Sequence, residues 1–283
     1  MSDRPRPGRG SARVRALRRA AAWLLLAALG LIALLAIEAL IAIATVPGDD
    51  YRAPTQAPRS FPSGGERARL RLVVLGDSTG AGRGAPYEQG IAVAAARHLA
   101  ARGPVTLTNL AVSGARLGDV RRDQLPTATR LAPDVVLLAA GANDVTGLTL
   151  LGSVRADVVA IAHRLRAARC DVAIVLTASP DVGSAPRLAQ PLRTVAGWRT
   201  LQVNAAVEEV VRERRLALAP IAERTGRRFR ADRSLFAPDG FHPSAAGYAT
   251  WFAVIDAALD RALASRRTPP PACRSAATGA GHR

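Results

Sequence analysis

"VVLGDSTGAG", residues 73–82, ends an apolar run at Gly76 and then presents an acid, Asp77, and a hydroxyl, Ser78. Glycines at 80, 82 and 84 follow. Ser78 is either a polar residue at a strand end or a nucleophile presented by a sharp turn. The flanking chain has to decide between them.

From 69 to about 263 the pattern alternates. "RLRLVVLG" reads as a strand, "YEQGIAVAAARHLAARG" as an Ala-rich helix, and "VTLTNLAV" as a second strand. A short helix runs near "LGDVRRDQL". "DVVLLAAG" is a third strand, buried on both faces by its continuous apolar run. A long helix at about 150–169, a strand "DVAIVLT", a long helix at about 194–215, a short strand "LALAPI" and a last helix at about 244–264 complete the series. Strands alternating with helices predict an α/β fold on a five-stranded parallel sheet. Right-handed crossovers place helices on both faces. Reactive groups in such sheets collect beyond the carboxyl ends of the strands.

Other reactive residues do follow strands. Ser113-Gly114 come after the second, Asn143-Asp144 after the third, and Asp239 and His242 lie before the last helix. A serine hydroxyl needs a base. His242 is the candidate, because His98 and His163 sit in helical patterns and His282 is in the tail. Asp239, three residues before His242, can reach its ring N–H, fix the tautomer and support the imidazolium. Acyl transfer also needs donors for an oxyanion. The N–H of Gly114, the Asn143 amide and the N–H of Ser78 are the candidates. Taken singly, Asn143-Asp144 reads as a helix cap and Gly114 as a strand-end turn. Taken together and in this order, they read as one site.

The four blocks "GDS" (76–78), "NLAVSGA" (109–115), "GAND" (141–144) and "DGFH" (239–242) resemble those of the SGNH hydrolases, the GDSL-type esterase/lipase superfamily. The resemblance covers about residues 70–262. "GDSTGAG" lacks the leucine of the GDSL name. The resemblance implies a three-layer α/β/α sandwich and a site with neither metal nor cofactor. It also implies Ser78 as nucleophile, His242 as base, Asp239 as its partner, and Ser78, Gly114 and Asn143 as oxyanion donors. The reaction expected is ester hydrolysis through an acyl-enzyme, on a small-molecule, lipid or glycan ester.

Residues 20–46, "AAAWLLLAALGLIALLAIEALIAIATV", hold one ionisable group, Glu38. About 20 apolar residues span a bilayer core, so the run predicts a single membrane-spanning helix. Seven Arg lie in residues 1–19, before it, and Asp49 and Asp50 follow it. That places the N-terminus in the cytoplasm and the rest outside. A signal peptide cut after Ala42-Ile43-Ala44 is the alternative, but signal cores are typically 7–15 residues long. Residues 47–68 read as a Pro-rich linker and 264–283 as a disordered basic tail.

The net charge is +17, all 39 basic residues are Arg, and aromatics are only 4%. Residues 1–19 carry +6 and residues 261–283 carry +5, which leaves +6 for everything between. The tails hold the basicity and no aromatic-interleaved basic stripe exists, so nucleic acid is not an expected partner. Cys170 and Cys273 are too few for a disulfide framework, although the two could pair outside the cytoplasm. The substrate is the open question. Leu148, Leu150 and Leu151 line an acyl pocket or lid on one reading; on the preferred one they begin a helix and pack on the sheet. The long loop at 179–193 reads as an active-site rim. Three rivals stand beside the esterase. They are a deacetylase or acyltransferase on cell-envelope carbohydrate, a catalytically silent anchored binding module, and a basic tail that binds nucleic acid or anionic lipid.

Overall fold

The computed structural model describes residues 9–44, 57–63 and 69–266. The chain divides into two units, Met1–Val46 and Pro47–Arg283. The first contains α1 (Arg9–Ala44), whose stretch Val14–Ala42 is 29 residues long and apolar enough to cross a membrane. At 1.5 Å per residue that stretch is about 43 Å long, longer than the hydrocarbon core of about 30 Å.

Among the described residues the second unit has six strands, β1 (Arg59–Phe61), β2 (Leu70–Gly76), β3 (Val105–Asn109), β4 (Val135–Ala139), β5 (Ala173–Leu176) and β6 (Ala217–Leu218). They form one sheet in the order β1-β3-β2-β4-β5-β6. Five strands are parallel, and β1 alone runs antiparallel, against β3. The helices are α2 (Ile91–Ala100), α3 (Leu117–Asp119), α4 (Leu125–Leu131), α5 (Ala142–Thr146), α6 (Leu151–Ala168), α7 (Leu192–Arg214), α8 (Ile221–Ala231) and α9 (Ala245–Arg266). Leu72, Val74, Leu137 and Val175 pack with α2 and α9 in one core cluster. Their strand neighbours Val73, Leu75, Leu138 and Ile174 are equally buried and point to the opposite face, where α4, α6 and α7 lie. This is the three-layer α/β/α sandwich.

Two elements go beyond the sequence reading. β1 arises inside the stretch read as a Pro-rich linker: Phe61 pairs with Val105 and is buried in the core cluster, which stabilises this edge by about 2 kcal/mol. The pairing of Arg59 with Glu88 adds a cross-link. α8 was not expected either. Its buried residues Ile221, Thr225 and Phe229 recur every fourth position, but the four arginines among them hide that stripe. Cys170 is exposed and makes no disulfide among the described residues; the pairing considered with Cys273 falls outside them.

Part of the arginine surplus is structural. Asp134, at the start of β4, is buried and bonds Arg169 at 2.9 Å and Arg266 at 2.7 Å. This closes the end of the sheet opposite the loops that carry the candidate site.

Candidate active site

The site begins where β2 ends. Gly76 has φ +143°, and a Cβ there would overlap the Ala139 carbonyl. Only glycine lets β2 pass so close to the end of β4. Side-chain atoms of Gln124 cap this strand end: Oε1 accepts from the Gly76 N–H at 2.9 Å and Nε2 donates to its carbonyl at 2.8 Å. The chain turns sharply through Asp77, whose side chain points inward and is fully buried. Asp77 Oδ1 accepts from the Thr79 N–H at 2.8 Å and from its hydroxyl at 2.7 Å. Burial pushes the Asp77 carboxyl up to about 6, against the lowering effect of the Thr79 bonds and of His242.

The glycine loop after Ser78 also has a tertiary role. Gly84 has φ +97°, and a Cβ there would overlap the Pro243 carbonyl and His242 Cβ. The Ser78 loop therefore lies directly on the loop that carries His242. Tyr248 of α9 seals the contact by donating to the Arg83 carbonyl at 2.6 Å. Asn109, at the end of β3, holds the same loop through the Gly80 carbonyl at 2.9 Å.

The His242 loop is a tight reversal. Phe236 bridges Pro243, and the Ala237 N–H donates to the His242 carbonyl at 2.8 Å. Within it, Asp239 Oδ1 accepts from the N–H groups of Phe241 and His242, both at 2.9 Å. Asp239 Oδ2 lies 2.5 Å from His242 Nδ1. Burial raises the Asp239 carboxyl, but the His242 bond and the two backbone N–H groups outweigh it and hold it well below the usual carboxylate range. His242 Nε2 is 2.9 Å from Ser78 Oγ. Ser78 and His242 are both buried.

The remaining expected residues are placed as follows. Asn143, on α5, lines a cavity of about 30 Å³ together with Ser78, Val182, Ala185, Phe241 and His242. Its Nδ2 donates to the Ala115 carbonyl at 3.1 Å, and a second N–H remains on that nitrogen. Gly114 is exposed with φ +86°, and open space lies where a Cβ would project. It does not line that cavity; the Asn143–Ala115 bond ties its loop to the site. Asp144 turns away, is buried, and accepts from the Leu117 N–H at 3.0 Å. His98 bonds Asp260 at 2.6 Å and His163 is exposed, so both are apart from the site.

Leu148 and Leu150 correct an expectation. They do not pack on the sheet: they are 68% and 75% exposed, and Leu148 has φ +52°. Leu148 lies between α5 and α6 and Leu150 caps α6, while Leu151 begins α6 as expected. The sequence reading also missed Arg187, in the 179–193 loop. Its Nε donates to the Asp239 carbonyl at 2.8 Å, and its Nη2 lies 3.4 Å from Asp239 Oδ2. No periodicity links positions 52 residues apart, although the length of that loop pointed to the region.

The GDSL-like lipase/acylhydrolase family matches residues 74–250. The chain is 30% identical over 240 residues to the GDSL-like esterase Rv1075c of Mycobacterium tuberculosis, covering 80% of this chain and 76% of that one. In fold it is similar to TesA, with TM-score 0.55 and 20% identity over 68% of this chain and 99% of the other. It is also similar to the lipase/acylhydrolase from Enterococcus faecalis, with TM-score 0.54 and 20% identity over 71% of this chain and 98% of the other.

Proposed function

This chain belongs to the GDSL-like lipase/acylhydrolase family and is an ester-cleaving hydrolase, and we propose that it works through a Ser78–His242–Asp239 triad. One observation carries the proposal: a single imidazole touches Ser78 Oγ at 2.9 Å through Nε2 and Asp239 at 2.5 Å through Nδ1. An ionised Asp239 keeps the proton on Nδ1, which leaves Nε2 as the acceptor.

The steps follow from that arrangement. His242 Nε2 takes the Ser78 proton as Oγ attacks the ester carbonyl carbon. The N–H groups of Ser78 and Gly114 and the free N–H of Asn143 Nδ2 stabilise the oxyanion. The imidazolium returns its proton to the departing alcohol, and an acyl-serine remains. Water, deprotonated by His242, attacks that ester and releases the acid and Ser78. The test is Ser78→Ala in the full-length protein in detergent, assayed with p-nitrophenyl acetate. Hydrolysis should fall by about 10³-fold or more with the fold intact. A wild-type rate would refute the assignment.

The reaction is proposed to occur outside the cytoplasm, with α1 as a signal-anchor. The apolar run at 20–46 and the seven Arg that precede it support this placement. Cleavage following Ala44 is the alternative. Deacetylation of cell-envelope carbohydrate is a second reading. A panel of p-nitrophenyl esters from acetyl to long chain, run beside acetylated sugars, separates the two.

A further inference from the structure

Arg187 makes four contacts with three consecutive residues of the His242 loop. Its Nε donates to the Asp239 carbonyl at 2.8 Å, and its Nη2 lies 3.4 Å from Asp239 Oδ2. Its backbone N–H donates to the Gly240 carbonyl at 3.0 Å, and its guanidinium stacks 5.3 Å from the centre of the Phe241 ring. The side chain is only 12% exposed. A surface arginine placed by chance would not be spent in this way: a buried guanidinium is costly unless paired and hydrogen-bonded.

We propose that Arg187 is a positioning residue of the hydrolase, one that clamps the Asp239–His242 loop and sets the basicity of His242. This rests on the triad reading. The clamp follows from geometry. Asp239 has to present Oδ2 to His242 Nδ1, and Arg187 hydrogen-bonds the backbone carbonyl of Asp239 while placing its charge 3.4 Å from that carboxylate oxygen. The basicity follows from charge. Arg187 and His242 meet the same oxygen, Asp239 Oδ2, so the guanidinium offsets part of the negative charge that supports an imidazolium.

The charged groups facing His242 come from three elements. Asp239 lies on its own loop and Asp77 on the turn after β2. Arg187 and Asp181 come from the loop after β5, and Asp181 is itself paired with Arg230 of α8 at 2.7 Å. Asp239 and Asp77 favour the protonated imidazole, and Arg187 opposes them. Removing the Arg187 charge therefore stabilises the imidazolium. His242 must be neutral to act as a base, so the acidic limb of the kcat/KM profile moves to higher pH.

The experiment compares wild type, Arg187→Gln and Arg187→Lys as full-length proteins, with kcat, KM and Tm measured across pH. For Arg187→Gln we expect kcat lower by about tenfold with KM little changed, and an acidic limb raised by about half a pH unit. Arg187→Lys keeps the charge and loses the planar fork. It should keep the wild-type limb and recover only part of kcat. A loop staple without electrostatic influence would move Tm and kcat but not the limb. An unshifted limb in Arg187→Gln, or an equal shift in both variants, overturns the inference. Should Arg187→Gln fail to fold, Arg187→Lys decides: a wild-type kcat overturns the clamp, and a reduced kcat at unchanged Tm and limb supports it. Ser78→Ala keeps the two levels apart, because hydrolysis independent of Ser78 sinks the triad reading whatever Arg187 does.

Discussion

Replacing Asp239 by Asn tests the polarity of the whole relay, because the structure dictates which way the new amide must face. Asp239 Oδ1 accepts from two backbone donors, the N–H groups of Phe241 and His242 at 2.9 Å. Neither can become an acceptor, so the asparagine oxygen must take that place. Its NH₂ is then forced toward His242 Nδ1, where the carboxylate oxygen stood at 2.5 Å. Two donors cannot share that contact. The imidazole responds by moving its proton to Nε2, which then donates to Ser78 Oγ across the 2.9 Å contact instead of accepting from it. The base is present but in the wrong tautomer. The expected cost is about 10⁴-fold in kcat, or about 5.5 kcal/mol of transition-state stabilisation. Asp239→Asn conserves volume and both backbone bonds but removes the counter-charge of buried Arg187, so Tm should fall while the fold is kept. The assay is p-nitrophenyl acetate hydrolysis near neutral pH, with circular dichroism to verify the fold. A folded Asp239→Asn protein within tenfold of wild-type kcat would refute the reasoning.

Two further outcomes follow from the same geometry. Gly84→Ala should destabilise the protein by about 2 kcal/mol or more and lower kcat, because φ +97° is unfavourable for alanine and the new methyl overlaps the His242 loop; denaturant unfolding measures the first effect and steady-state kinetics the second. Asp77, raised to about 6 by burial, binds its proton more tightly in the folded than in the unfolded chain. The folded protein is therefore favoured below about pH 4 and loses roughly 3 kcal/mol of that advantage as pH rises to about 6. Asp77→Asn should remove this fall from the pH dependence of unfolding free energy, and an identical pH slope in both proteins would contradict the buried-carboxylate assignment.

Much of the candidate site was legible because its parts are local. Asp239 and His242 lie three residues apart in one reversal, so their contact needs only the loop itself. Ser78, Gly114 and Asn143 each follow an apolar strand. In a parallel sheet that position alone brings strand-end loops to one edge. The bonds that aim these groups were not legible. Gln124 reaches Gly76 across 48 residues and Arg187 reaches Asp239 across 52. Gly84 stood in the sequence as one of three glycines after Ser78, and its structural reason, the His242 loop pressed against it, depends on a surface far along the chain.

The amino-acid sequence by itself determined the α/β alternation, the long apolar N-terminal segment and the reactive residue types. Periodicity and strand-end position are short-range properties, and side-chain chemistry is present before folding. Tertiary structure alone decided that three residues at 59–61 extend the sheet, that Leu148 and Leu150 face outward, and that Asp77 is sealed in the interior. It also decided that Arg187 stands behind Asp239. Each of these depends on which distant surface arrives next to a residue, and crossovers set that encounter rather than any pattern within the segment.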